Sequence, residues 1–527
     1  MSYLDASLRS LMVPGILLLL LVTLSIFIAG CSFSLPKNSG EPSTALPPAK
    51  EGQLAIAITD MMAKHPDLTG VVPLAKGADA FAARMLLADA ATTSIDTQYY
   101  IWRADLTGYL LLDRLKQAAD RGVKIRLLLD DHGTSGLDPD IAALQAHPNI
   151  QVRLWNPFPL RRFKLLSFTF DFFRLNRRMH NKSFTVDGLA SVLGGRNVGD
   201  EYFSTGQTPL FVDLDVLVAG KVVPAISQDF DSYWNSPSAY PASLIVAPLS
   251  KKNPSKGASV SDKIACYSQT EQMIDYRQVL EQTDMVSKLA AGNLEMEWTK
   301  VKLVSDSPKK GQGALPREKL LGGILFKAVG TIESQFDGVS PYFVPGKEGV
   351  EAFTALQNQG VQVRMLTNSL EATDVLPVHA GYAKRRKKML AGGIELFELR
   401  RQVEGGDEVN SKLGPFGSSG ASLHAKTFAV DGKRIFVGSF NFDPRSARLN
   451  TEMGLLIDSE RMASGLHATF DQGLNGTAWQ VKQDDGQLVW VDPSNAATPA
   501  LTKEPGISFW RGVGLKVVGW LPIEWLL

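Results

Sequence analysis

The sequence predicts an α/β protein of two pseudo-symmetric lobes, each a mixed, mainly parallel β-sheet flanked by helices. Three observations carry that prediction: a strand-helix-strand pattern that occurs twice, a long polar motif that also occurs twice, and an ordinary globular composition. The chain has 527 residues, 44% of them hydrophobic and 21% charged, enough for two or three domains with a sizeable core.

The first lobe opens on Ile95-Asp96-Thr97-Gln98-Tyr99-Tyr100-Ile101, which reads as a strand. Leu111, Leu115, Ala118 and Ala119 then share a helical face, Arg121-Gly122 ends the helix, and Val123 to Leu129 is a second, apolar strand. The second lobe repeats the order with Ser340-Pro341-Tyr342-Phe343-Val344, a helix carrying Val350, Phe353 and Leu356, Gln359-Gly360, and a strand from Val361 to Leu366. This is the pattern of a βαβ unit, whose two strands lie parallel in one sheet. The expected organisation is an N-terminal anchor or signal over 1–31, a flexible linker over 32–66, a first lobe over 67–241, a connecting insertion over 242–303, a second lobe over 304–480 and an apolar tail over 481–527. The insertion contains Lys251-Lys252-Asn253-Pro254-Ser255-Lys256-Gly257 and a helix-like stretch from about 270 to 291.

At the N-terminus an apolar run from Leu11 to Gly30 follows Arg9 and ends in Ile28-Ala29-Gly30-Cys31. Those four residues resemble the lipobox of bacterial lipoproteins, and the resemblance implies lipidation of Cys31. The alternative is an uncleaved transmembrane helix, for which about 20 apolar residues suffice. Either reading tethers the chain to a membrane with its body outside the cytoplasm. Residues 32–53, rich in Ser, Pro, Gly and Lys, read as the tether. Cys266 is then a lone thiol, expected to be buried or inert, and without a Cys/His cluster no metal is expected. A net charge of +1 argues against a nucleic-acid partner, because a steered polyanion binder normally carries a basic excess.

Each lobe ends in one constellation: His180-Asn181-Lys182, Asp187-Gly188 and Gly194-Gly195-Arg196-Asn197 in the first, then His424-Ala425-Lys426, Asp431-Gly432 and Gly438-Ser439-Phe440-Asn441 in the second. Both fit H-x-K-x4-D-x6-G-[GS]-x-N without insertion. His and Lys two apart on a strand project from one face, so each lobe presents an imidazole and an ammonium to one point. Asp187 and Asp431 carry two readings, a direct catalytic role or the shaping of an Asp-Gly turn. The returning strand brings Asn197 or Asn441 beside the His-Lys face, where an amide donates to a phosphate oxygen. Ser439 shares that loop and is a further phosphate-binding candidate.

These are the paired motifs of the phospholipase D superfamily, which the chain resembles. The resemblance implies one active site at the lobe interface, no cofactor, a phosphohistidine intermediate, and His180 as nucleophile with His424 as acid and base. It also implies a carboxylate that fixes each imidazole, and Glu452 in Asn450-Thr451-Glu452 matches it in the second lobe. In the first lobe Asp213 matches best within Phe211-Val212-Asp213-Leu214-Asp215, with Asp215 on the same strand face.

The stretch from Ile101 to Gly133, with Asp130-Asp131 ending its strand, and the run Arg174 to His180 resemble bacterial cardiolipin synthases, those of the C type most closely. That resemblance implies phospholipid substrates, joined to give cardiolipin, and leaves room for an accessory protein. Hydrolysis to phosphatidic acid, a secreted nuclease and a non-catalytic lipid-binding lipoprotein are the competing readings. Two segments lean toward a membrane. Over 155–178 the residues Phe158, Phe163, Leu165, Leu166, Phe168, Phe170, Phe172 and Phe173 alternate with Arg161, Arg162, Lys164 and Arg174, and the tail carries Trp510, Trp520 and Trp525. A core face is the other reading of both. The basic run 384–388 reads as a solvated helix face, and His65, His132, His147 and His467 receive no role.

Overall fold

The computed structural model describes residues 34–203, 211–248, 260–267, isolated positions between 268 and 293, 294–313, 315–400, 422–521 and 523–527. Cys31 with its apolar run, the Lys251 to Gly257 stretch and most of the 270–291 segment lie outside the described residues.

In chain order the strands are β1 (Thr69–Leu74), β2 (Ser94–Ile101), β3 (Lys124–Gly133), β4 (Ile150–Trp155), β5 (Ser183–Val186), β6 (Ala190–Gly194), β7 (Phe211–Val212), β8 (Asp215–Gly220), β9 (Ala239–Pro241) and β10 (Glu297–Thr299). The second lobe continues with β11 (Val301–Ser305), β12 (Gln335–Val339), β13 (Gln362–Asn368), β14 (Glu395–Leu399), β15 (Ser422–Leu423), β16 (Thr427–Val430), β17 (Arg434–Gly438), β18 (Met453–Ile457), β19 (Ala478–Asp484) and β20 (Gln487–Val491). Two nine-stranded sheets result, ordered β10-β1-β8-β6-β5-β2-β3-β4-β9 and β11-β18-β17-β16-β12-β13-β14-β19-β20. Each is mixed. The strands of the βαβ units, β2-β3-β4 and β12-β13-β14, run parallel, and the motif hairpins β5-β6 and β16-β17 join them antiparallel.

The repeat survives in detail. Helices Leu106–Asp120 and Gly346–Asn358 occupy the expected crossover positions. Asp96 pairs with Arg126 across β2-β3 as Asp337 pairs with Arg364 across β12-β13. The strand of the second lobe is β12, though, and not 340–344. Pro341 has no N–H to give a ladder, and the chain turns there toward the helix. Asp337 sits within the extended β12 because Arg364 and His467 satisfy its buried carboxylate.

The two sheets share an apolar core. Val71, Leu193, Val216, Val218 and Ile226 of the first lobe pack in one cluster with Val437, Leu455, Ile457 and Leu466 of the second. A short parallel pair, β7 with β15, and a parallel bridge between Met179 and Thr451 stitch the lobes at the motif ends of the sheets.

Several expectations are corrected. Residues 34–52 do not hang free but lie along the first lobe: Asn38 donates to Ala239 O at 3.1 Å, Ser43 N to Asn235 Oδ1 at 3.0 Å and Ala49 N to Asp187 O at 2.9 Å. A helix, Gln53–Lys64, follows them. Cys266 is exposed on helix Val260–Tyr267. The basic run is a solvated face only in part: Lys384, Lys387 and Lys388 are exposed, whereas Arg386 is buried between Glu398 and Glu504 and Arg385 pairs with Glu524. His467 accepts from Gly432 N at 3.0 Å besides binding Asp337, which makes it a structural group. In the tail, β20 extends the second sheet, whereas helix Phe509–Trp520 buries no residue. Among the described residues no helix is long and apolar enough to cross a membrane.

Candidate active site

Both motif histidines sit just before a strand, where the chain leaves its own sheet and is caught by the other lobe. His180 N donates to Thr451 O at 2.9 Å and Thr451 N returns to Arg178 O at 2.9 Å. His424 N donates to Val212 O at 2.8 Å. Each segment is also held by a side chain at the C-terminal end of a parallel strand. Asp130, after β3's apolar run, accepts from Met179 N at 2.8 Å, and Asn368, at the end of β13, brackets Leu423 through N–H and carbonyl at 2.9 and 3.0 Å. Neither residue was assigned a role from the sequence. Polar residues at the carboxyl end of parallel strands are the available signal.

Because the segments cross, the carboxylates cross as well. His180 Nδ1 lies 2.8 Å from Glu452 Oε2, and His424 Nδ1 lies 2.5 Å from Asp213 Oδ2. Each lobe therefore orients the imidazole of the other. Asp215 is excluded from that role by Arg84, whose guanidinium binds it at 2.9 Å. The motif's Gly-[Gly/Ser] pair now has a steric reason. A Cβ on Gly195 would stand 2.1 Å from Asp213 Oδ1, whereas Ser439 uses its hydroxyl to donate to Glu452. Asp306 supports the same acid by accepting from Glu452 N at 3.0 Å, with its own charge held by Lys310 at 2.7 Å.

Lys182 donates to His180 O at 2.6 Å, and Lys426 Nζ lies 3.1 Å from His424 Nδ1. Both ammonium groups are buried. Burial brings Lys182 down to about 7 and Lys426 to about 8, against the pull of Glu452 and Asp213. The imidazoles are likewise depressed. His180 falls well below its ordinary value through burial and then through the charges of Lys182 and Lys426. His424 falls to about 4 through burial and Lys426, with Asp213 opposing. That both lysines act on both histidines places the two motifs in one electrostatic site. The carboxylates differ. Burial raises Glu452 to about 7, whereas at Asp213 burial is outweighed by His424, Lys426 and Arg196, which keep it ionised. Aromatic rings flank both histidines: Tyr100 lies edge-on to His180 and Tyr202 edge-on to His424, each with centroids 5.1 Å apart.

Other expected residues lie elsewhere or are already engaged. Asp187 and Asp431 stand at the far end of their strands from the histidines, with φ of 54° and 55°. The Asp187 carboxylate accepts from Thr92 N, Thr93 N and Ser94 N, and that of Asp431 from Glu333 N, Ser334 N and Gln335 N. Both anchor the start of a strand, in keeping with the turn-shaping one of their two readings. Asn197 accepts from Ile101 N at 3.2 Å and donates to the Tyr202 hydroxyl at 3.0 Å, so part of its amide serves the fold. Ser439 is committed to Glu452 and Met453 rather than free for phosphate. Asn441 is buried with Oδ1 unpartnered among the described residues.

Two segments of this chain, 86–234 and 327–474, match the family model described as "Cardiolipin synthase, PLD-like domain". The chain is 45% identical to cardiolipin synthase C of Escherichia coli K12, over 90% of this chain and 100% of that protein. It is 26% identical to a cardiolipin synthase of Oceanobacillus iheyensis, over 72% of this chain and 63% of that protein. Among solved structures, phosphatidylserine synthase of Haemophilus influenzae Rd KW20 shares the fold with a TM-score of 0.52 at 14% identity, covering 80% of this chain and 92% of that one. With one motif in each matched segment and the two brought to a single buried site, the chain belongs to the phospholipase D-like cardiolipin synthase family.

Proposed function

We propose that this chain is a phosphatidyltransferase that makes cardiolipin from two membrane phospholipids through a phosphohistidine. The observation that carries the reading is the crossed pair of imidazole-carboxylate contacts beside two buried lysines. With Nδ1 held by a carboxylate, Nε2 of each ring is the nitrogen left for chemistry. A phosphodiester bound beside Lys182 and Lys426 would raise both lysines and hold their charge.

His180 Nε2 attacks phosphorus, the N–P bond forms and the P–O bond to the first headgroup alcohol breaks. His424 gives that alcohol its proton. The hydroxyl of a second phospholipid then passes its proton to His424 and attacks phosphorus, the N–P bond breaks, and cardiolipin leaves. The two environments favour this division. Burial and the charges of Lys182 and Lys426 keep His180 an unprotonated nucleophile, whereas ionised Asp213 and a bound phosphate both favour the imidazolium of His424. Lys182 and Lys426 stabilise the charge on the phosphorane oxygens.

The substrates lie in a membrane, and the surface suits one. Phe163, Leu165, Leu166 and Phe173 are exposed around helix Lys164–Leu175, and Phe509, Trp510, Val517 and Trp520 along the tail helix. Arg161, Lys164 and Arg174 are ion-paired with Asp131, Asp138 and Asp171, so apolar area rather than free charge supplies most of the attraction. A lipid on Cys31 or an uncleaved helix keeps the enzyme at the bacterial envelope, facing away from the cytoplasm.

The test is expression of wild type, His180→Ala and His424→Ala in bacteria lacking cardiolipin synthases, with lipids read by mass spectrometry. Histidine-dependent cardiolipin is expected. Phosphatidic acid without cardiolipin would replace the transferase with a hydrolase, and unchanged lipids despite envelope localisation would overturn both. Adding a candidate accessory protein to the wild-type strain completes the series.

A further inference from the structure

The loop from Gly438 to Pro444 carries alternate residues to opposite sides. Ser439 and Asn441 belong to the catalytic motif, whereas Phe440 and Phe442 form a wall of an apolar groove of about 650 Å³ behind it. That volume is within the ~300–1,000 Å³ of sites that take small organic ligands. Val344, whose N–H donates to Phe442 O at 2.8 Å, lies at the base, and Phe353 and Phe326 line the remaining sides from helices Gly346–Asn358 and Leu321–Val329.

We infer that this groove holds an acyl chain of a phospholipid whose phosphate lies between His180 and His424. The inference rests on the lipid-transferase reading and names where that substrate's hydrocarbon goes. Three observations select hydrocarbon as the occupant. The groove adjoins the site, because Phe440, Phe442 and the buried Asp443 that line it flank the motif's Asn441 along the chain. Its outer edge is the half-exposed Trp525, whose ring lies 6.5 Å from Phe172 on the exposed apolar helix, so it opens where a bilayer would rest. Its rim charges are already paired, Arg385 with Glu524 and Arg448 with Glu348, and an apolar cleft with a neutralised rim accepts a chain rather than a charged headgroup. Each methylene buried there favours binding by roughly fourfold.

Gly322 and Ala352 allow the groove to be filled. A Cβ on Gly322 meets only Phe440 Cζ at 3.7 Å, so a larger side chain there enters the groove without striking backbone. Purified Gly322→Leu and Ala352→Trp are compared with wild type on dioleoyl and dibutyryl phosphatidylglycerol. The expected result is a fall of about tenfold in the ratio of long-chain to short-chain kcat/KM. An unchanged ratio in both folded variants overturns the proposal. A second measurement needs no variant: wild-type protein is irradiated with a non-cleavable phosphonate analogue of phosphatidylglycerol bearing a mid-chain diazirine, and labelled peptides are mapped. Label on 321–329, 346–358 and 440–447 supports the groove. Label confined to the exposed helices 164–175 and 509–520, or a groove protected by a bound peptide or second copy, contradicts it while leaving the transferase reading intact. Groove labelling without phosphatidyl transfer or hydrolysis by wild type would instead keep the groove as a lipid site and remove the transferase.

Discussion

Nδ1 of His180 faces Glu452 and Nδ1 of His424 faces Asp213, each from the opposite half of the chain. Glu452→Gln and Asp213→Asn remove the carboxylate that holds the imidazole tautomer, and each is expected to lower kcat about 10²- to 10⁴-fold without unfolding the protein. Steady-state transfer assays on purified variants read this directly. Asp187→Asn separates the turn role from catalysis. It weakens three backbone contacts to a charged acceptor, so Tm falls while kcat per folded molecule stays near wild type. The pH dependence follows from the lysines. In the free enzyme burial holds Lys182 at about 7 and Lys426 at about 8, so they lose charge as pH rises through that range and kcat/KM falls. A bound phosphate raises both, so the alkaline limb of kcat lies at higher pH than that of kcat/KM. The acid limb lies well below neutrality, because His180, the nucleophile, resists protonation. The histidines and lysines were legible because spacing puts them on one face. The turn role of the aspartates was legible only as one of two readings, because Asp-Gly shapes a turn whether or not its carboxylate reaches substrate. The crossing was not legible at all: a motif states what its own strand presents, not which lobe supplies the partner.

At the scale of elements, the βαβ units were readable because apolar period and glycine stops agree along 94–133 and 346–368. β12 was missed because its Asp337 is buried with Arg364 and His467, a tertiary compensation that local composition does not reveal. The same applies to Arg386, whose carboxylate partners lie far along the chain. The aromatic segment and the tail read ambiguously as core or membrane face, and the structure divides them: Phe158 and Leu175 are buried, whereas Phe163, Leu165, Trp510 and Trp520 face outward. Two large apolar faces without a cover among the described residues are unusual on a folded surface. Trp510→Ala with Trp520→Ala is therefore expected to lower binding of the protein to phosphatidylglycerol vesicles by at least tenfold. Its turnover of a short-chain, monomeric lipid should stay close to wild type. Vesicle flotation and a soluble assay check the two halves of that statement.

Across the whole molecule, the repeat is functional because neither half is complete. The apolar core that joins Val216, Val218 and Leu193 to Val437, Leu455 and Ile457 fixes the lobes against each other, and the β7-β15 pair and the Met179-Thr451 bridge set His424 and His180 beside the other lobe's acids. One phosphorus is then reached by a nucleophile from one motif and an acid from the other. Rapid quench into neutral detergent, which preserves an N–P bond, with phosphatidyl-p-nitrophenol as substrate tests this most directly, since its leaving group departs without a proton. Wild type should show a transient phosphatidyl group on His180. His424→Ala should form the same adduct and fail to release it, and His180→Ala should form none. An adduct on His424 that persists in His180→Ala, or turnover with no histidine adduct in any of the three, would contradict the account.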